Sequence, residues 1–179
     1  MAKEKKKVVL AYSGGLDTSF CIAYLRKEKG CDVITVTADT GGFKPRELKE
    51  IEERSRELKA VEHITVPAQD TVYDRYVSVL IRGNILRGSV YPLSVAAERV
   101  TQAEEVVRIA KERNADAIAH GSTGAGNDQI RFDGVFHVLA PEREIITPIR
   151  DLALSRKEEY EYLKKEGVDI DPSVRDYSI

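Results

Sequence analysis

Residues 8–19, VVLAYSGGLDTS, decide the fold of this chain. The run from Val8 to Tyr12 is short, apolar and rich in β-branched residues, which is typical of a strand buried on both faces. A glycine pair, Gly14 and Gly15, then predicts a sharp turn, and a helical pattern follows over residues 18–29. The stretch is therefore a strand, a turn and a helix in direct succession.

The same order of apolar run, turn and helical pattern recurs along the chain. Further strands are predicted at 33–38, 63–67, 116–120 and 144–147, and helices at 45–58, 70–81, 93–113, 127–139 and 155–165, with a loop at 83–92. Alternating strands and helices imply right-handed crossovers and a doubly wound, mainly five-stranded parallel sheet of the α/β class. Ligands of such sheets bind beyond the carboxyl ends of the strands, where the glycine-rich turns of this chain fall.

Composition excludes several classes of protein. The 179 residues carry a formal net charge of −2, whereas generic nucleic-acid-binding domains usually have a pI above ~9. Two cysteines ten residues apart exclude a disulfide scaffold and favour a reducing cytoplasm. The three histidines form no HExxH motif, and no apolar run approaches the ~20 residues of a membrane span. We therefore expect a cytoplasmic protein that binds neither nucleic acid nor membranes.

The segment from Ser13 to Ser19 has the features of a phosphate cradle. Glycine permits left-handed backbone angles and close approach of a ligand, and the free amides at a helix N-terminus favour anions. The segment is neither a Walker A loop nor a Rossmann GxGxxG motif. The alternative is a plain strand-to-helix turn capped by Asp17 or Thr18, and spacing alone does not decide between the two.

Three segments together resemble a known family. Residues 11–19, AYSGGLDTS, resemble the pyrophosphate-binding loop of the N-type ATP pyrophosphatases, and within that group they look like argininosuccinate synthase. Residues 37–41, TADTG, resemble the part of that family that holds adenine. Residues 119–132, AHGSTGAGNDQIRF, resemble its amino-acid-substrate loop, and Tyr91-Pro92-Leu93 and Arg99 also match.

The resemblance implies a PP-loop fold of the adenine nucleotide alpha hydrolase type and ATP-dependent joining of citrulline and aspartate. Mg²⁺ would be held by the ATP phosphates without a direct protein ligand, with Asp17 as a candidate for contact through water. Arg99 and Asp128 are the candidate catalytic residues. The residues implied to contact ATP are Ala11, Tyr12, Ser13, Gly14, Gly15, Leu16, Asp17, Thr18, Ser19, Ala38 and Gly121.

The resemblance also implies contacts with both amino acids. The residues implied to contact citrulline or aspartate are Tyr91, Thr123, Asn127, Asp128, Arg131 and Ser178. An arginine fork pairs well with an α-carboxylate, and a carboxylate such as Asp128 pairs with an α-ammonium group.

Each of these residues has a simpler interpretation. Asp128 and Arg131 are three apart and predict an ordinary ion pair on a helix surface, which the residues alone favour. Tyr91 would pack before a helix, and Arg99 would lie on a solvated face. His120 would be a hydrogen-bonded residue at a strand end.

The chain departs from the family pattern in two places. Residues 94–96, SVA, lack a hydroxyl at Ala96 where the family commonly has serine, and a lost polar contact costs on the order of 1 kcal/mol. The resemblance also covers only the front half of the family's length. We expect a basic lead-in at 1–6, an ATP-binding domain at 7–167 and, at 168–179, the start of a connection to a C-terminal synthetase domain.

The family's full-length enzymes are homotetramers, whereas this chain is expected to be a monomer or dimer that binds nucleotide with little or no synthesis. Two other functions stay open from the sequence. One is another PP-loop ATP pyrophosphatase that thiolates tRNA or forms amides, although cysteine pairs and basic surfaces are absent. The other is a non-catalytic module that binds adenine nucleotides.

Overall fold

A computed structural model describes residues 5–168. Five of its strands form one parallel sheet in the order β3-β2-β1-β6-β7, and two short strands form a separate antiparallel hairpin. The strands are β1 Lys7–Ala11, β2 Asp32–Asp39, β3 Glu62–Pro67, β4 Leu86–Arg87, β5 Tyr91–Pro92, β6 Ala117–Ala119 and β7 Glu144–Ile146. The predicted five-stranded, doubly wound parallel sheet is confirmed.

Helices cover both faces of this sheet. They are α1 Leu16–Lys27, α2 Pro45–Glu57, α3 Gln69–Val72, α4 Ser78–Arg82, α5 Ser94–Glu112, α6 Asp128–Leu139, α7 Pro148–Leu152 and α8 Arg156–Lys165, with a π-helical turn at Tyr73–Val77 between α3 and α4. The sequence predicted one continuous helix over 70–81 and missed α7 altogether. It also predicted a loop over 83–92, where β4 and β5 instead pair Leu86 with Pro92.

The sheet is buried on both faces because its central strand alternates between two apolar clusters. Val8 and Leu10 pack into the cluster that contains Phe20 of α1 and Leu163 of α8. Val9 packs into the opposite cluster, with the inner faces of α5 and α6. Since every residue from Val8 to Leu10 is completely buried, the end of β1 is fixed firmly and so is the turn that leaves it.

The order of the strands places a switch point beside β1. The chain moves outward from β1 through β2 to β3, then returns to the other side of β1 as β6. The loops after β1 and β6 therefore leave the sheet in opposite directions, which opens a crevice at the carboxyl edge between them.

Candidate functional site

The turn after β1 depends on Gly14. Its φ is +76°, a left-handed value that favours glycine, and a Cβ there would lie 2.7 Å from Cγ1 of Ile51 on α2. The Arg54 guanidinium, also on α2, donates a hydrogen bond to the Gly14 carbonyl. Glycine at this position therefore lets α2 pack directly against the turn.

Gly15 starts α1 with an extended backbone and without a hydrogen bond from any side-chain cap. The alternative in which Asp17 or Thr18 caps the helix is wrong, because no side chain makes a capping hydrogen bond at the start of α1. The Thr18 hydroxyl instead donates to the Gly15 carbonyl oxygen, 3.4 Å away. Ser13 Oγ lies 3.2 Å from Thr18 Oγ1. The first turn of α1 thus keeps its backbone amides uncapped by side chains, beside two hydroxyl groups, an arrangement that favours an anion.

The loop after β6 approaches this turn closely. A Cβ on Gly121 would lie 2.9 Å from Thr18 Cγ2 and 3.3 Å from the Thr18 amide nitrogen. A side chain at either Gly14 or Gly121 would collide with a neighbouring element, so the two glycines let α2 and the loop after β6 pack against the turn and the start of α1.

A cleft containing about 530 Å³ of space, part of it open to solvent, lies at this crevice. Six of the eleven predicted ATP contacts line it, namely Ala11, Tyr12, Ser13, Thr18, Ala38 and Gly121. The other five, Gly14, Gly15, Leu16, Asp17 and Ser19, belong to the same turn and helix start but are not part of the lining.

Eight further residues line the cleft, among them Phe43, Gln102 and Val106 from two segments that the sequence did not connect with a ligand. The full set is Val36, Thr37, Phe43, Gln102, Val106, His120, Ser122 and Phe132. Thr37, His120, Ser122 and Phe132 lie within the segments that carried the family resemblance. Gln102 and Val106 are one turn apart on α5, so their spacing was the signal that could have found them.

The floor of the cleft is held by buried polar groups. Thr37 Oγ1 donates a 2.7 Å hydrogen bond to the carbonyl of Tyr12, and the Tyr12 amide donates to the Val36 carbonyl. Burial raises the pKa of the Tyr12 phenol to about 12, partly offset by its hydrogen bond to Ser19. The phenol therefore stays neutral at physiological pH and contributes no charge beside the turn.

Asp17 faces a second carboxyl group that the sequence did not identify. Glu159 of α8 is 2% exposed and hydrogen-bonded to the Asp17 side chain, while its Oε2 has no donor among the described residues. Burial, together with the Asp17 charge, raises the pKa of Glu159 to about 8. A proton on Glu159 lets the two carboxyl groups share a hydrogen bond at neutral pH.

The two candidate catalytic residues contact each other. Nε of Arg99, which is 6% exposed, lies 3.1 Å from Asp128 Oδ2. The Arg131 guanidinium lies 2.6 Å from Asp128 Oδ1, which is the predicted ion pair on the helix. The interpretation of Arg99 as a solvated residue is wrong, because its partner on α6 draws it into the protein.

The remaining predicted substrate contacts are more open. Tyr91 is 52% exposed and lies in the short hairpin. The Thr123 hydroxyl donates to the Ala125 carbonyl, and Asn127 precedes α6 without a capping hydrogen bond from its side chain. None of these residues lines the cleft. Ser178 lies outside the described residues.

His120 is the hydrogen-bonded residue at the end of β6 that the sequence predicted. It is 1% exposed, and its Nε2 lies 2.9 Å from Asp133 Oδ1. Its Nδ1 accepts a hydrogen bond from the Ser122 amide, and its ring stacks on Phe132 with centroids 5.6 Å apart. Burial lowers the pKa of His120 despite the Asp133 carboxylate, so the ring is neutral at pH 7.

Residues 5–168 contain neither a helix that could cross a membrane nor a side-chain cluster suited to a metal ion. No helix in that range combines the length and the apolar character needed to cross a membrane. In the same range, no group of three or more histidine, cysteine, aspartate or glutamate side chains is arranged to hold a metal ion.

The family described as the arginosuccinate synthase N-terminal HUP domain matches residues 7–169. Curated argininosuccinate synthases are similar throughout: that of Methanocaldococcus jannaschii is 44% identical over 96% of this chain, that of Sulfolobus acidocaldarius 45% over 97% and that of Ligilactobacillus salivarius 47% over 98%. The matched region makes up 43%, 44% and 43% of those three proteins, so the chain spans less than half their length. These matches show that the chain belongs to the argininosuccinate synthase N-terminal HUP domain family, and its parallel sheet agrees with that assignment.

Proposed function

We propose that this chain is the nucleotide-binding domain of an argininosuccinate synthase and that it binds ATP in the cleft at the switch point. The observation that carries the proposal is the close packing that the absence of a side chain allows at Gly14 and Gly121, beside the uncapped start of α1. The triphosphate would lie on the segment 13–19, and the adenine would lie against Ala38.

The reaction that we propose for the parent enzyme has two steps. The ureido oxygen of citrulline attacks the α-phosphorus of ATP, and pyrophosphate leaves with the electrons of the broken P–O bond. The amine of aspartate then displaces AMP and yields argininosuccinate. Neither step needs a covalent nucleophile from the protein, so orientation and charge stabilisation carry the catalysis.

Within this scheme the turn after β1 would stabilise the departing pyrophosphate. Negative charge grows on that group as it leaves, and the α1 amides and the hydroxyls of Ser13 and Thr18 are fixed before the reaction begins. We expect Mg²⁺ to bind together with ATP, as a complex with its phosphates, because Mg²⁺ keeps several waters and is commonly bound through substrate phosphates. In that complex the cation offsets part of the phosphate charge. Asp17 is the single carboxylate in residues 11–19, and any contact that it makes would pass through water.

The amino-acid side of the site needs a rearrangement. Asp128 is engaged by Arg99 and Arg131, so an incoming α-carboxylate would compete with Asp128 for Arg131, and an α-ammonium group would compete with Arg131 for Asp128. Tyr91 and Thr123 are too exposed to enclose a substrate alone. For these 179 residues we therefore expect ATP binding with little or no synthesis, as a monomer or dimer.

The family assignment favours this function over a tRNA-thiolating or amidating one. Cys21 and Cys31 are both buried, without a disulfide, which is consistent with a cytoplasmic protein and gives no exposed cysteine pair for sulfur transfer. A module that binds adenine nucleotides without catalysis is the second candidate, and turnover measurements distinguish it.

The first test is calorimetric titration of Mg-ATP into the chain and into Gly15→Asp. A Cβ on Gly15 meets only Ser13 Oγ, at 3.4 Å, and its φ of −77° suits any residue, so the variant should fold. Its carboxylate would lie beside the α1 amides and repel a phosphate. We expect the variant to lose measurable binding.

Gly134→Asp is the matched control, because it adds the same charge on α6 where a Cβ would meet nothing within 4 Å. It should bind Mg-ATP as the parent chain does. If the well-folded parent chain fails to bind, or if Gly15→Asp binds equally well, the proposal is wrong. Incubation with ATP, citrulline and aspartate then separates the two candidates: traces of AMP and argininosuccinate favour the synthase domain, and intact ATP favours a binding module.

A further inference from the structure

The glycine-rich loop of residues 121–127 is held at its start by His120. The Ser122 amide donates a 3.2 Å hydrogen bond to His120 Nδ1, so that nitrogen carries no proton and the ring proton lies on Nε2. Nε2 then donates to Asp133 Oδ1 at 2.9 Å. Asp133 Oδ2 in turn accepts a 2.6 Å hydrogen bond from Nη1 of Arg150 on α7. These contacts connect the start of the loop to Arg150.

The second half of the loop is held by Gln129. Its Nε2 donates to the Gly124 carbonyl at 2.6 Å and approaches the Gly126 carbonyl at 3.5 Å. Its Oε1 accepts a 3.2 Å hydrogen bond from the same Arg150 Nη1. Since the guanidinium can only donate, it fixes which end of the Gln129 amide faces the loop.

Both sets of contacts meet at one guanidinium because of the geometry of α6. Gln129 and Asp133 are four residues apart, so their side chains lie on the same helix face, and Arg150 of α7 lies opposite them. A solvent-exposed ion pair is worth little, but here the side chains of Arg150 and Asp133 are 32% and 27% exposed. Their contacts end on the backbone of the loop rather than in solvent.

We propose that Arg150 is the positioning residue that sets the conformation of loop 121–127, and with it the wall of the cleft that Gly121 and Ser122 form. The identity of the ligand beside that wall rests on the proposed function. The loop itself carries little apolar side-chain mass, so its conformation depends on these two sets of hydrogen bonds.

The experiment compares the chain with Arg150→Met and Arg150→Lys by NMR. In Arg150→Met we expect the backbone order parameters of residues 122–126 to fall below ~0.6, the range of flexible segments. The ¹⁵N shifts of the His120 ring should also change, because Asp133 loses the cation beside it. Arg150→Lys keeps a cation with several donors and should restore the His120 shifts at least in part.

Arg113→Met is the matched control. Arg113 also joins two elements through a carboxylate, Glu62, at 2.7 Å, and its side chain is 38% exposed, but neither residue lines the cleft. This variant should leave the loop order parameters and the His120 shifts unchanged. Should Arg150→Met fail to fold, Asp133→Asn and Gln129→Met test the two sets of contacts one at a time, with loosening expected at Ser122 and at residues 124–126 respectively.

Loop order parameters and His120 shifts that stay unchanged in a folded Arg150→Met would overturn the proposal. These readouts need no nucleotide, so they separate this proposal from the proposed function, which fails when the parent chain does not bind Mg-ATP. If a loosened loop is competent a tenth of the time, the Kd for Mg-ATP rises about tenfold. An unchanged Kd despite a loosened loop would overturn the part that concerns the cleft.

Discussion

The side of the candidate site that we propose for the nucleotide (the nucleotide side) and the side that we propose for the amino acids (the amino-acid side) are built in different ways. The nucleotide side is made of glycine backbone packed closely against neighbouring residues, with Gly14 against the Ile51 side chain and Gly121 against Thr18. The amino-acid side is made of side chains, and its charged members bind each other: Arg99 and Arg131 both contact Asp128. The nucleotide side is packed tightly before any ligand binds. On the amino-acid side, Asp128 occupies the two arginines in the absence of a ligand.

This difference explains where each side can tolerate change. Packed backbone cannot relax far, because protein interiors are as dense as organic crystals. An ion pair between residues three apart on one helix, such as Asp128 and Arg131, exchanges partners at little cost. Substitutions should therefore cost much on the nucleotide side and little on the amino-acid side, with the buried Arg99 as the exception.

The largest expected effect is that of Gly14→Ala. The added Cβ would lie 2.7 Å from Ile51 Cγ1 at a φ of +76°, so both the left-handed strain and the overpacking oppose it. We expect a loss of about 2–4 kcal/mol in the free energy of unfolding. Denaturant unfolding of the variant against the parent chain measures this.

Gly124→Ala is the matched change on the other side. A Cβ there would meet only Arg150 Cγ, at 4.0 Å, and we expect its unfolding free energy to stay within about 0.5 kcal/mol of the parent value. Equal losses in the two alanine variants would contradict the contrast between a packed side and an open one.

The elements that form the nucleotide side were also the ones that the sequence could predict. The strand, turn and helix of residues 8–27 were predicted because β-branched runs and glycine turns act locally. Cys21, within α1, is completely buried. Parallel strands carry their loops to one edge, so the general place of the cleft followed as well.

The sequence could not predict contacts between distant elements. Glu159 faces Asp17 from a helix more than 130 residues along the chain, and Arg150 lies on α7, whose five residues are too few to show a helical period. The π-helical turn at Tyr73–Val77 lies inside the stretch that the apolar spacing predicted as one helix. Tertiary packing determines the Glu159–Asp17 contact, the short helix α7 and the π-helical turn, and no local sequence pattern predicts them.

Asp128→Ala should have the second largest effect. It removes the carboxylate that Arg99, 6% exposed, contacts at 3.1 Å, and among residues 5–168 it leaves the buried guanidinium with a hydrogen bond to Gln102 alone. We expect a loss of about 1–3 kcal/mol, measured by denaturant unfolding. The comparison to make is Asp128→Asn, which keeps an acceptor for Arg99 and should lose less. Equal losses in the two variants would show that the negative charge matters more than the hydrogen bond.

Glu159→Gln should stabilise the protein at alkaline pH. The folded pKa is about 8 and the ordinary value is 4.5, so the folded state keeps a proton that the unfolded state releases. The parent chain therefore loses stability as pH rises from 4.5 to 8, and the glutamine variant does not. At pH 8 we expect the variant to be more stable by about 1 kcal/mol or more, with the margin shrinking towards pH 5.

The neighbouring Glu158→Gln is the control for that measurement. Hydrogen bonds from Ser155 lower the pKa of Glu158, so its contribution to stability is present at neutral pH and is lost as pH falls. Its replacement should therefore change stability in the opposite direction to that of Glu159. A Glu159→Gln variant whose margin over the parent does not grow with pH would show that the buried carboxyl is already ionised.

Arg131→Met should have a smaller effect than Asp128→Ala or Glu159→Gln. Arg131 and Asp128 are a partly exposed pair three residues apart on α6, at 2.6 Å, and such helix pairs are worth about 0.3–0.5 kcal/mol. In the Asp128→Ala background the same change should cost nothing further, since its partner is already gone. If Arg131→Met alone lowered the free energy of unfolding by more than about 1 kcal/mol, Arg131 would contribute to stability as much as the buried Arg99 does. The amino-acid side would then be as fixed as the nucleotide side, and a substrate carboxylate could not displace Asp128 from it.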